Sequence, residues 1–431
     1  MSDKKRYAVV GLGGRSEMFL DSITKTYKEI AQLVGFCDIS AGRMENRNNR
    51  IQKAGHPPVP TFHPGQFDQM IAQTRPDHVI VTSMDVTHSD YICRAMELGC
   101  DVISEKPMTI DEQRCRKILK TAASTGKNCQ VTFNYRYAPP RSQVRELIMN
   151  GAIGEILSVD FCWLLDTRHG ADYFHRWHRY RRNSGSLLVH KATHHFDLVN
   201  WWLDDIPEEV FCHATKRFYT PQNADKMGLQ GRSDRCLTCG LKEKCRFYLD
   251  ITKGDLKDLY LDCENHNGYI RDRCIFAQDI DIWDSMSACV RYRRKTVLSY
   301  MLHAYSSYEG YKVAFNGTGG RIEHAACENT YINGDGTVPG ELDRGNVSVT
   351  YIPAFSKPQA LEPHTGKGGH GGGDPVLLAD IFDPNASADP LRRKANQRDG
   401  AYSILVGIAA CHSIDTGKAV RINDLLGDAP I

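Results

Sequence analysis

The segment "RYAVVGLGGR", residues 6–15, constrains this chain most, because it runs an apolar strand straight into glycines and then into a predicted helix. That order is the setting in which a glycine turn presents a helix N-terminus to the pyrophosphate of a dinucleotide. Gly11 and Gly13 fill the first two positions of G-x-G-x-x-G, but Ser16 stands at the third and Gly14 lies before it, so the turn alone is a weak signature. A second apolar strand, "LVGFCDIS", ends in Asp38, about 20 residues further on, where a carboxylate accepts both ribose hydroxyls. An acidic group there repels a 2′-phosphate and favours NAD over NADP, with Arg43 downstream as the feature that would serve NADP. The plain alternative is a strand-to-helix turn without a ligand.

Strands and helices continue to alternate through "DHVIVTS", "THSDYICRAMELG", "CDVISEKP", "IDEQRCRKILKTAASTG" and "NCQVTFNYR". This is the βαβ rhythm of a doubly wound parallel sheet, whose ligand crevice lies at the carboxyl ends of the strands. Ser83 and His88 close the third of these strands and open the helix after it, and Glu105 and Lys106 close the fourth. With Gly11, Gly13, Gly14, Arg15 and Asp38 they form the expected cofactor-binding set. Lys106 points to the same crevice as the glycine turn.

Size and charge exclude other classes. A chain of 431 residues supports more than one core, and 54 basic against 52 acidic side chains, net +2, provide no field for nucleic acid or an anionic membrane. The short basic clusters "RWHRYRR" and "RYRRK" read as solvated surface. No stretch approaches the roughly 20 apolar residues that span a bilayer, and the first apolar run is too short for a signal peptide. A cytoplasmic location is expected, with most of the 15 cysteines as reduced thiols.

"SGSLLVHKATHHFD", residues 184–197, concentrates titratable groups. If 186–203 is one helix, Phe196, Val199 and Leu203 share a core face while His190, His194 and Asp197 line up at i, i+4 and i+7. Oxidising a secondary alcohol requires a proton acceptor at the hydroxyl, and histidine titrates near working pH. Zinc is the rival, since H-x-x-x-H on a helix is a metalloprotease skeleton, but Lys191 stands where that site has its glutamate. Histidines packing a wet domain boundary are the bland alternative.

The "GLGGR" turn, Asp38, "EKP" and a glycine-bearing segment followed by H-x-x-D occur in one order, and in this the chain resembles the glucose-fructose oxidoreductase / inositol dehydrogenase (Gfo/Idh/MocA) family. The resemblance covers the first 200 residues closely, and "FNGTGGRIE" at 315–323 resembles the family's second domain. It implies that Glu105 and Lys106 lie beside the nicotinamide ribose and the reacting carbon, with Lys106 bonded to the substrate hydroxyl. His194 matches the family's catalytic histidine. The family usually carries aspartate four residues earlier; here that position is His190, so both histidines stand as candidate bases.

Between the strand ends and the histidines, "FCWLLDTRHGADYFHRWHRYRRNSG" interleaves aromatics with hydroxyl-binding groups, a composition suited to a carbohydrate. Trp163, Asp166, His169, Tyr173, Arg176 and His178 are its candidates for substrate binding, joined by Tyr135 at a strand end and by Lys191. His370 and Asp374 in the glycine-rich "GKGGHGGGDP" lean toward a ligand role.

"RCLTCGLKEKC" has partial zinc-site spacing, with Cys236, Cys239, Cys245 and Cys274 as candidate ligands of a closed structural zinc, Cys263 being a less favoured fourth and unligated thiols the alternative. The expected architecture is an α/β chain: a Rossmann domain at 1–137, then an α+β domain at 138–431 built on a mainly antiparallel sheet, with a cysteine-rich insertion at about 212–280. The resemblance implies a homo-oligomer formed through the open face of that sheet. Three functions follow: an NAD-dependent oxidoreductase acting on a ring hydroxyl of a sugar or glycoside; an NAD-dependent glycosidase working by transient oxidation and β-elimination; and a non-catalytic NAD-binding regulator.

Overall fold

Strand β1 (Lys5–Val10) is buried along its last four residues, because β2 (Ala31–Cys37) and β4 (His78–Val81) flank it and helices cover both faces. The computed structural model describes residues 4–330 and 347–431. With β3 (Thr61–Phe62), β5 (Asp101–Ser104) and β6 (Cys129–Val131), these strands form a six-stranded sheet in the order β3-β2-β1-β4-β5-β6. Every pair in it is parallel. The strand order reverses beside β1, and the crevice at that switch point is where such sheets bind ligands.

The chain then enters β7 (Ile156–Asp166), followed by β8 (Pro207–Thr215), β9 (Ser285–Tyr292), β10 (Val297–Ser306), β11 (Tyr308–Gly317), β12 (Gly320–Thr330), β13 (Val347–Pro353), β14 (Gln359–Leu361) and β15 (Val420–Arg421). These make a nine-stranded sheet in the order β14-β13-β12-β11-β7-β10-β9-β8-β15. It is antiparallel except where β7 and β10 run parallel. Alternate residues of β9 and β10 are buried and exposed, so one face of the sheet is packed and the other open. The helix Gln397–Thr416, buried over most of its length, packs on that inner side against the helix Ala192–Leu203.

The expected helix over 186–203 is divided. Leu187–His190 forms one turn, Lys191 interrupts, and Ala192–Leu203 continues. Asp197 does not join the histidines: its carboxylate receives Arg136 Nε and Nη2 at 2.7 and 2.5 Å, both side chains being buried. The expected stripe of His190, His194 and Asp197 is therefore corrected to two histidines and a structural ion pair. Between β8 and β9 the chain carries only short helices, Pro221–Lys226, Gly254–Leu259 and Glu264–Asn267, separated by loops.

Candidate active site

The carboxyl ends of β1, β2, β4 and β5 open on a cleft of about 610 Å³. At its cofactor end Gly11 has φ +83°, and a Cβ there would fall 2.5 Å from the Ser83 backbone, so the turn requires glycine. Gly13 and Gly14 line the same wall, and the Gly14 N–H donates to the Tyr260 hydroxyl at 3.2 Å. Asp38 is held by the Leu12 N–H at 2.6 Å and the Ser40 N–H at 2.8 Å, which fixes its carboxylate at the tip of β2. Arg43 Nη1 stands 3.8 Å from it. Arg15 donates to Glu105 at 2.7 Å, and Ser83 and His88 also line the cleft. The His88 ring lies 2.8 Å from the Pro107 carbonyl and 3.1 Å from that of Ser83, so it ties two strand ends together.

At the other end Lys106, His190, His194, Tyr135 and Lys191 meet. Asp85, which no sequence motif marks, joins them: its Oδ2 lies 2.5 Å from His190 Nδ1. Lys106 Nζ donates to the His190 carbonyl at 3.3 Å. Burial lowers the Lys106 ammonium to about 8, against the pull of Asp85 and Glu105. Burial, and after it the Lys106 charge, pushes His190 and His194 well below the usual histidine range, so both imidazoles are neutral. His194 stacks on Tyr135 with ring centres 4.0 Å apart, and its Nδ1 is buried without a partner. Lys191 donates to the Tyr135 hydroxyl at 2.9 Å.

The helix Thr167–His175 and the turn after it form the outer wall. His169 bonds Glu309 at 3.1 Å and the Tyr173 hydroxyl at 2.9 Å, and His178 packs edge-on against His190 with centres 4.0 Å apart. Arg176 pairs with Asp172 at 3.2 Å. Two expected substrate residues do not reach the cleft. Trp163 is fully buried, stacked between His195 and Tyr311, because it lies on the inner face of β7. Asp166 instead caps the following helix, accepting the N–H groups of Arg168 and His169 at 2.9 and 2.6 Å. His370 lines the cleft, with Asp374 behind it at 2.8 Å.

Comparison with known proteins decides the family. The family described as "Oxidoreductase family, NAD-binding Rossmann fold" matches residues 5–133, and its "C-terminal alpha/beta domain" matches 145–422. The chain is a Gfo/Idh/MocA oxidoreductase. YteT of Bacillus subtilis (strain 168), named as an oxidoreductase, is 36% identical over 98% of both chains. Glycosyl hydrolase family 109 protein 1 of Akkermansia muciniphila is 25% identical over 44% of this chain and 40% of its own. D-glucoside 3-dehydrogenase of Escherichia coli (strain K12) is 30% identical over 36% of this chain and 42% of its own. As a Gfo/Idh/MocA protein the chain binds NAD, and the residues present fit it: a cradle at Gly11 that a Cβ would fill, backbone N–H groups beyond it, and a fixed carboxylate at Asp38.

In this Gfo/Idh/MocA chain, Asp85, His178 and His190 are the three metal-type ligands among the described residues whose atoms lie within 4.8 Å of one another. Lys106 and Arg176 press on the same groups, a cationic setting that opposes a divalent ion. The cysteines expected to bind zinc, Cys236, Cys239, Cys245 and Cys274, line a separate small hollow. Among the described residues no helix is long and apolar enough to cross a membrane.

Proposed function

We propose that this enzyme oxidises a ring hydroxyl of a sugar or glycoside to a ketone. The observation that carries the reading is the convergence of Lys106 with the hydrogen-bonded pair His190–Asp85 in one cleft with the glycine turn and Asp38. When bound, NAD supplies the hydride acceptor.

The tautomers divide the work of the two histidines. We assign Asp85, whose carboxyl burial pushes up against the pull of Lys106 and Arg176, as the acceptor at His190 Nδ1; Nε2 is then free to accept, the orientation a general base needs. A proton on the buried, partnerless Nδ1 of His194 would cost about 1–3 kcal/mol. His194 therefore keeps its proton on Nε2 and acts as a donor. In this reading His190 takes the hydroxyl proton, positioned by Asp85, while the Lys106 ammonium stabilises the developing alkoxide. The carboxylate that the family usually carries four residues before its histidine is replaced by one reaching in from the end of β4.

Tyr173, His169, Arg176, His178 and Lys191 form the hydroxyl-binding and ring-facing wall, which supports a carbohydrate substrate. A second reading, redox-assisted glycoside cleavage, draws on the glycosyl hydrolase relative, since a base able to remove a ring proton would serve β-elimination as well. We place the enzyme in the cytoplasm and read it as a homo-oligomer; the open sheet face exposes Val297 and Met301, and light scattering in solution measures the assembly.

The test is a spectrum of the protein with NAD before and after adding glucosides and free hexoses, with sugar release assayed in the same samples. Growth of reduced-nicotinamide absorbance without cleavage is expected. Released sugar without that absorbance would replace this reading by the glycosidase, and silence in both would defeat the carbohydrate assignment. Because Lys106 must be charged and sits at about 8, kcat/KM should fall as pH rises through about 8.

A further inference from the structure

The segment between β8 and β9 is mostly loop, yet it forms a wall of the cleft. Tyr260 touches Gly14, and the Leu259 carbonyl accepts from Arg43 Nε at 2.9 Å. So little regular structure needs another source of rigidity. Cys236, Cys239, Cys245 and Cys274 all line one hollow in this segment, enclosing about 30 Å³ of space open to a water-sized sphere. Around them lie Leu229, Leu241, Phe247 and Phe276, an apolar lining that gives water few partners.

Two arginines stand beside these sulfurs. Arg232 lines the hollow, and the buried Arg179, whose Nε and Nη1 lack partners, acts on Cys274. Both cations would offset the negative charge of a tetrathiolate centre.

The spacing argues against one ion. Zinc bonds to sulfur at about 2.3 Å, which sets tetrahedral sulfurs about 3.8 Å apart and leaves no free space between them. Here no three of the four sulfurs lie within 4.8 Å of one another, and all four residues border a hollow. An iron–sulfur core meets both conditions, since its thiolates bind separate irons around a bulky inorganic centre.

We propose that Cys236, Cys239, Cys245 and Cys274 hold an iron–sulfur cluster that braces the wall over the glycine turn. A preformed cluster enters by ligand exchange: each cysteine loses its proton as it replaces a carrier thiolate, which leaves with a proton, and no electron is transferred. The brace takes no part in turnover.

The experiment counts iron, acid-labile sulfide and zinc in the full chain purified without oxygen and records its visible spectrum. Iron and sulfide in equal amounts, with the broad charge-transfer band of an iron–sulfur core, are expected. Stoichiometric zinc without sulfide would overturn the cluster in favour of a single ion, and absence of all three would overturn a metal centre altogether. Cys239→Ser should lose the band and bind NAD more weakly, whereas Cys289→Ser, on an exposed position of β9, should keep both. A Cys239→Ser protein that retains the full band would also overturn the assignment.

Discussion

The two ends of the cleft are built differently. The cofactor end is assembled mainly from strand tips close in sequence, Gly11 to Asp38, with the Asp38 carboxylate held by two backbone N–H groups. The reacting end draws on β4, β5, the interrupted helix at Lys191 and, through Glu309, on β11 of the second sheet. Its charges are buried together, so each fixes the protonation of its neighbours. A local turn tolerates partial loss, while a coupled cluster fails as a unit.

Substitutions can break this contrast. His190→Ala should lower kcat by about 10³-fold, the range of a general base, with NAD affinity intact; His194→Ala costing more than His190→Ala would transfer the base role to His194. Lys106→Ala should cost about 10²–10³ in kcat, again without loss of NAD binding, and unchanged turnover would refute the alkoxide role. Asp85→Asn should cost about 10²-fold. In that variant the alkaline limb of kcat/KM should also move to lower pH, since Asp85 is what raises the Lys106 ammonium against burial. A merely structural Asp85 would leave the limb where it was. Smallest is Asp38→Ala at the other end: about tenfold weaker NAD binding with kcat at saturation unchanged, so an equal loss in kcat would show that the two ends are not separable.

How far each end could be read in advance follows from the same difference. Gly11, Asp38 and Lys106 announce themselves because a parallel sheet puts consecutive strand tips on one edge. Asp85 also sits just past a strand tip, and that position was its available signal, but nothing near it in sequence names His190 as its partner. Trp163 and Asp166 were drawn in by composition; alternation along β7 places Trp163 on the inner face, and helix capping occupies Asp166. Periodicity puts Asp197 near the histidine stripe but cannot name its partner, and the buried Arg136, 61 residues away in sequence, takes its carboxylate.

The sequence by itself determined the doubly wound sheet, the dinucleotide turn and the lysine beside it, because apolar period, glycine and strand-end position are local and repeat along the chain. Only the tertiary structure brought a carboxylate to one of the two histidines. Asp85 stands 105 residues from His190 in sequence and 2.5 Å from it in space, while His194 keeps a buried nitrogen with no partner, because packing joins positions that no local pattern links.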